Sequence, residues 1–404
     1  MSELPVLIIG AGISGLCLAN GLKKRNIPFQ VFEKDTDVTF RPQGYRVRLA
    51  SDGADALKQC LSTELYTLFE QTCADVEVGA PGVIDPGTGE SLAPREVFGA
   101  HRPPGHAYTV DRSVLRNVLL TGLEQNRVSW GKQFQKSEVT PDGVVSHFTD
   151  GSTVRGSLLV GAEGARSRVR SQVFPQIALL DTEGCLIYSK TPMTDDFIRA
   201  FSEDALRKMS LVTDRSQPSP LHLLLEKIHF NRDRAADAPF ELPVDYVYWV
   251  LMMPHNLLSQ HGIPLGSFHR SHGEEALGLA TKLTADWTLK LTSLFKYADP
   301  TLTSTIHVLT THPDIPDWKA SKVTIIGDAA HVMPPTGAAG AASALQDAAT
   351  LCRELENKGV GIEAVAAYEE EMKTRMREVV KASLGGAKRL LDTKDLDELK
   401  PVKS

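Results

Sequence analysis

Gly10-Ala-Gly12-Ile-Ser-Gly15 has the G-x-G-x-x-G spacing, and the acidic residue Glu33 follows about 20 residues later. The chemistry available to this group is anion binding. Gly10 permits a tight turn, Gly12 lets the backbone approach a pyrophosphate, and Gly15 lets the following helix pack on the preceding strand. The free N–H groups and dipole at that helix N-terminus favour negative charge. Glu33 is placed to accept hydrogen bonds from ribose hydroxyls. Alone, such a loop also serves as a plain structural turn. Here an apolar strand (Val6-Leu-Ile-Ile9), the turn, a helix-spaced segment (Ile13 to Lys24), a second strand (Phe29-Gln-Val-Phe32) and the acid occur in order. That order points to a dinucleotide but does not separate FAD from NAD.

Two further motifs narrow the reading. Gly161-Ala-Glu163-Gly164-Ala-Arg166-Ser167-Arg168-Val169-Arg170 follows one apolar strand. Gly327-Asp328-Ala-Ala-His331-Val-Met-Pro334-Pro335 follows another, and Gly337-Ala-Ala-Gly340 opens a helix that runs through Asp347. With the N-terminal fingerprint, these resemble the single-component aromatic-hydroxylase family of flavoprotein monooxygenases, the p-hydroxybenzoate hydroxylase type. The resemblance spans almost the whole chain.

The resemblance implies FAD as cofactor and NADPH or NADH as a transient co-substrate. It places Asp328 on the ribityl chain, where a helix N-cap is the plainer alternative. It places Arg112, which follows Tyr108-Thr-Val-Asp111, near the pyrophosphate and ribityl; the alternative is a solvated Arg at a helix start. Gly340 and Ala341 would present backbone N–H groups to negative charge on the pyrimidine side of reduced flavin. Glu163 stands where the family usually has Asp, in a motif that touches both the flavin pyrophosphate and NAD(P)H. Arg166 and Arg170 are candidates for nucleotide charge or ordinary surface ion pairs. The family's Gly-Gln-Gly followed by Asn is replaced here by Ala338-Ala339-Gly340 and Ala342, which removes side-chain amide contacts.

The function so implied is hydroxylation or epoxidation of a small aromatic or polycyclic, secondary-metabolite-like substrate through a flavin C4a-hydroperoxide. The altered Gly-Gln-Gly segment motivates an alternative, a redox-neutral cyclase or isomerase that keeps FAD as a scaffold. Arg46 and Arg48, on one face of a strand after Gln43-Gly44, are candidates to hold a phenolate or carboxylate or to stabilise the flavin. A solvent-facing strand side is an equal reading. No catalytic base is singled out. Tyr188, Tyr246, Tyr248 and Trp249 lie on expected strands as core or substrate contacts. His269 and His272 read as a surface pair, and His331 as packing at a strand–helix junction. The tryptophan signature of flavin halogenases and a second Rossmann fingerprint are both absent from the sequence.

The elements that must position these residues follow from patterning. Strands are expected at Tyr45 to Leu49, Leu158 to Val160, Leu186 to Tyr188, Leu221 to Leu225, Tyr246 to Met252 and Val323 to Ile326, with a hairpin around Pro141-Asp-Gly143. Helices are expected at Arg112 to Leu123, Glu274 to Phe295, Ala338 to Glu356 and Ile362 to Lys381. The fold class is α/β: a Rossmann-type FAD-binding domain formed by 1–175 and 301–404, an inserted strand-rich substrate domain at 176–300, and C-terminal helices. The 404 residues carry a net charge of −6, which gives no basic footprint for nucleic acid. Five Cys without a C-x-x-C pair argue against a disulfide framework or a metal site and for a reducing, cytoplasmic setting. No signal peptide or membrane span is expected. Pairing of copies through the tail helices is left open.

Overall fold

The computed structural model describes residues 4–37, 45–76, 80–92 and 107–402; Gln43 and Gly44 lie outside them. The nucleotide-type sheet is parallel throughout, in the spatial order Val323–Ile325, Leu158–Gly161, Val6–Ile9, Phe29–Phe32, Val128–Ser129. Its three leading strands are buried at every residue, as a sheet covered on both faces requires. The register sets Ile9 beside Gly161 and Gly161 beside Ile325. All three strands therefore end level. The segments that follow them, carrying the three glycine-containing motifs, leave from the same carboxyl edge, where ligands of such sheets bind.

The helix Ile13–Lys24 is buried continuously from Ile13 to Leu22. A single apolar stripe of Leu16, Ala19 and Leu22 is too narrow a description, because helices Ser51–Cys60 and Gly340–Lys358 pack against this helix as well. Its small residues allow that close approach. A Cβ on Gly21 would lie 2.4 Å from Cys352 Sγ and 3.1 Å from Cys60 Sγ. All five cysteines are free and buried. Among the described residues no helix is long and apolar enough to cross a membrane.

A second sheet of eight strands runs Ser304–Thr311, Leu179–Pro192, Tyr246–Pro254, Leu221–Ile228, Ser210–Asp214, Gly82–Ile84, Ser91–Leu92, with Lys400–Pro401 paired to Leu179–Pro192. It thus draws strands from both sides of the 176–300 span. Alternation gives it two faces. Ile187, Leu223, Val247, Trp249 and Leu251 pack under helices Gly273–Leu283 and Leu289–Lys296. Leu186, Tyr188, Leu224, Tyr248 and Met252 face the other way, toward the end of the tail helix at Ala387, Leu390 and Leu391. A two-stranded ribbon, Arg46–Leu49 with Tyr108–Asp111, lies between the two sheets.

The expected hairpin is present as Phe134–Thr140 and Gly143–Phe148, extended by Thr153–Gly156 into three strands. The expected helix from Glu274 to Phe295 is two helices. Thr284 Oγ1 turns back to Ala280 O at 2.8 Å, and Trp287 enters the core with its Nε1 donating to Asp214 Oδ2 at 2.8 Å. Burial of that indole outweighs helix continuity. The tail helix runs further than its periodicity indicated, through Ile362–Leu391.

Glu369 on that tail helix is 3% exposed. Trp318 Nε1 and Thr324 Oγ1 each donate to its carboxylate at 2.8 Å, favouring the charged form. Burial outweighs both and pushes the acid up to about 7. An acid raised on folding stabilises the native state while protonated, and that contribution declines as pH rises through the folded value. Urea unfolding should show stability falling between about pH 5 and about pH 8, and Glu369→Gln should flatten that decline.

Candidate active site

Gly10 adopts φ +112°, and a Cβ there would lie 2.4 Å from Ala162 O, so no side chain fits. Gly12 is different: a Cβ there meets nothing within 4 Å. The backbone is bared toward open space, as a cradle for a bulky anion would be. The helix that follows has no side-chain cap and no acidic residue in its first turn, so its leading N–H groups are left for a ligand.

Glu33 is buried beside this loop. Its Oε2 accepts from Ala11 N–H at 2.8 Å and its Oε1 from Asp35 N–H at 3.1 Å. Ala11 is held from its other side too: Arg116 Nε donates to Ala11 O at 3.0 Å, with the guanidinium over the Trp130 ring. Sequence reasoning missed Arg116. Its signal was position, one helical turn beyond Arg112 on a helix start already singled out.

The late motif is organised by Asp347. Its Oδ2 accepts from Gly327 N–H at 2.7 Å and lies 2.6 Å from His331 Nε2, while its Oδ1 accepts from Arg375 at 2.6 Å. Asp347 and His331 are fully buried. Burial opposes both charges, but their mutual attraction wins: Asp347 is held below the usual carboxylate range and His331 above the usual imidazole value. His331 thus sits at the strand–helix junction as expected, as an ion-pair partner. A Cβ on Gly327 would lie 3.1 Å from Ala344 Cβ and 3.2 Å from Ser14 Oγ. The turn bearing exposed Asp328 is therefore wedged between the first turns of helices Ile13–Lys24 and Gly340–Lys358. The second helix also begins without a side-chain cap or a first-turn acid, at half-buried Gly340 and Ala341. Ala338, in the altered segment, is left-handed at φ 52°, a conformation costing a non-glycine residue about 1–2 kcal/mol. Ser383 of the tail helix braces this loop, donating to Pro334 O at 2.5 Å and accepting from Thr336 Oγ1 at 2.7 Å.

In the middle motif, Glu163 caps the helix Arg168–Val173. Its carboxylate accepts from Ser167 Oγ at 2.7 Å, Val169 N–H at 3.0 Å and Arg168 N–H at 3.2 Å. Burial raises its pKa despite these donors. Buried Arg170 donates to Ala165 O at 2.5 Å, Ala329 O at 3.2 Å and Asp328 O at 3.3 Å, stitching the middle motif to the late one. Arg166 is exposed.

The ribbon brings the remaining residues together. Arg112 N–H donates to Tyr45 O at 3.1 Å, and its guanidinium lies 5.1 Å from the Tyr45 ring centroid. Arg46 and Arg48 do not face solvent. Arg46 Nε lies 2.6 Å from Glu226 Oε2, and Arg48 donates to Glu226 Oε1 at 2.6 Å. Next to them, Asp111 accepts from Lys190 Nζ at 2.5 Å and from the Tyr246 hydroxyl at 2.7 Å. Tyr188 meets Tyr45 edge-on at 5.7 Å, and Tyr248 lies 5.5 Å under Arg46. Burial pushes the Tyr248 phenol up to about 12. Trp249 points to the opposite face, into the helix-covered core. His269 is not a surface partner of His272: its ring stacks on His307 at 4.0 Å, and His307 Nε2 lies 2.7 Å from Asp181 Oδ1.

Level strand ends, a bared Gly12 and two uncapped helix starts around Gly327 define an FAD-binding nucleotide fold. Residues 300–383 match the FAD binding domain family, and residues 8–69 the NAD(P)-binding Rossmann-like domain. The chain is similar to proteins named as FAD-dependent monooxygenases. It is 36% identical to the dual O-methyltransferase/FAD-dependent monooxygenase elcB of Phaeosphaeria nodorum, over 98% of this chain and 47% of that protein. It is 38% identical to the dual O-methyltransferase/FAD-dependent monooxygenase CTB3 of Cercospora beticola, over 97% and 47%. The chain thus spans about half the length of these relatives. The crystal structure of a protein described as an FAD-containing monooxygenase from Photorhabdus luminescens superposes with a TM-score of 0.78 at 26% identity, covering 96% of this chain and 99% of that one.

Gly10 and Gly12 should separate folding from ligand binding. Gly12→Ala is expected to leave unfolding free energy within about 0.5 kcal/mol of wild type yet abolish FAD retention on gel filtration. Gly10→Ala should lower stability by about 1–3 kcal/mol or more, read by denaturant unfolding.

Proposed function

We propose that this chain is an FAD-dependent monooxygenase that uses NADPH or NADH and dioxygen to hydroxylate or epoxidise a small aromatic or polycyclic substrate of secondary-metabolite type. The observation that carries the reading is the meeting of three nucleotide-binding motifs at one sheet edge, next to the aromatic wall of Tyr45, Tyr188 and Tyr248. Bound FAD, reduced by the nicotinamide nucleotide, supplies the activation of dioxygen.

The chain's own residues do the rest. The Gly12 backbone and the helix starting at Ile13 hold the pyrophosphate. Glu33 accepts the ribose hydroxyls, and Asp328 accepts from the ribityl chain. The N–H groups of Gly340 and Ala341 hold negative charge on the reduced ring. Arg112, stacked on Tyr45, lies at the flavin side of the ribbon. Glu163 and Arg170 fix the middle motif against the Asp328 turn. The ribbon and the tyrosine-bearing sheet face exclude water and orient the substrate ring. We assign the nucleotide domain to 1–175 with 301–404 and the substrate domain to 176–300, the flanking spans lending Gly82–Ile84, Ser91–Leu92, Ser304–Thr311 and Lys400–Pro401 to its sheet. Five free buried cysteines support a cytoplasmic setting. The pairing of monooxygenase with O-methyltransferase in the relatives supports a substrate or product carrying hydroxyl groups able to accept methyl.

The test is NADPH and NADH oxidation in air by the FAD-loaded chain, with a panel of hydroxylated arenes and labelled dioxygen. Substrate-stimulated oxidation and a product gaining one labelled oxygen are expected. The altered segment, Ala338-Ala339-Gly340 followed by Ala342, motivates the redox-neutral alternative as second reading. An isomeric product without nucleotide consumption would establish it. A colourless chain that cannot be reconstituted with FAD would overturn both.

A further inference from the structure

We infer that Glu226 is a specificity-determining residue that restricts the site beside Tyr45, Tyr188 and Tyr248 to ring systems without a carboxylate group. The inference rests on the monooxygenase reading above and narrows its substrate class.

Two rows of charge face each other between ribbon and sheet. On the ribbon, Arg46 and Asp111 are cross-strand partners. On the sheet, Lys190 lies opposite Tyr248, and Tyr248 opposite Glu226. The rows match: Arg46 meets Glu226 at 2.6 Å and Asp111 meets Lys190 at 2.5 Å, with Arg48 on the second Glu226 oxygen at 2.6 Å. The Glu226 side chain is 2% exposed and that of Lys190 6%.

Arginine is the side chain best shaped to anchor an arene carboxylate, because its planar donors match two carboxylate oxygens. Here both arginines already serve a carboxylate that the protein supplies. An incoming carboxylate must displace Glu226 or enter beside it, placing like charges close together where water is scarce. A neutral ring leaves the pairs intact. What the row offers such a ring is the edge-on Tyr188 and Tyr45 pair, with Arg46 already seated over Tyr248. Glu226 Oε2 adds a polar point. It is buried and, among the described residues, accepts no well-aligned hydrogen bond, its Arg46 contact being ionic. A neutral phenol adds no charge beside the Glu226 carboxylate, whereas a carboxylate does.

The test is calorimetric titration of the FAD-loaded chain with naphthol and with naphthoate, which share a ring system and differ in charge. Wild type is expected to bind naphthol and to bind naphthoate at least about tenfold more weakly. Glu226→Gln should tighten naphthoate binding by roughly tenfold or more, an effect that persists at high salt because the charges are buried, while Glu226→Asp keeps the wild-type preference. Equal affinities in wild type would overturn the inference, as would an unchanged preference in folded Glu226→Gln. Should that variant not fold, the wild-type ratio and Glu226→Asp decide. Binding of neither probe by flavin-loaded wild type would overturn the aromatic-substrate reading itself, and this inference with it.

Discussion

Asp347 lies in the middle of a helix, yet the geometry of the parallel sheet's carboxyl edge hangs on its carboxylate. It holds the Gly327 N–H, His331 and Arg375 at once. Gly327 fixes where Asp328 leaves the sheet. His331 fixes the start of the loop that leads to Gly340. Arg375 ties both to the tail helix. Removing the carboxylate would leave fully buried His331 without its counter-charge and half-buried Arg375 with Glu371 alone, and a buried charge stripped of its partner is costly. The same residue therefore sets the mutual orientation of Asp328 and the helix start at Gly340. The Arg170 bonds to Asp328 O and Ala329 O add the third motif to this frame.

A comparable logic joins the nucleotide layer to the eight-stranded sheet. Buried ion pairs contribute little net stability against well-packed apolar residues, but a mismatched pair is expensive. The alternation of Arg46 and Asp111 against Glu226 and Lys190 therefore acts on register more than on stability. Sliding the ribbon by one residue along the sheet would turn these charges away from their partners and bury them alone. The tyrosines around them are placed by the same register, so the shape of the aromatic wall follows from an electrostatic match.

Much of this was legible in the residues. Gly10 and Gly12 announce their roles because their constraints are local: a left-handed turn and a bared backbone. Level strand ends follow from three short apolar runs, each leading into a glycine-containing motif. Other features depend on contacts that no local pattern carries. Glu226 reads as one polar residue in a strand until the ribbon is folded over it. Arg170 looked like a candidate for nucleotide charge, yet it is buried among backbone carbonyls. The stretch from Glu274 to Phe295 keeps helical spacing across Thr284, and only the pocket waiting for Trp287 breaks it. The strand Ser304–Thr311 lacked a clear alternation because its half-buried start and buried end meet different neighbours.

The strand order of the parallel sheet has a consequence for the way the chain is made. Val323–Ile325 forms one edge, against Leu158–Gly161, so the sheet that includes Val6–Ile9 lacks that strand until residue 325 has left the ribosome. During that interval the apolar edge of Leu158–Gly161 is an unpaired template for other strands. Domains usually mature in the order of their synthesis. Here most of the eight-stranded sheet is synthesised before the sheet that started first can close, and the late segment with Asp347 completes both its edge and its ligand-binding geometry.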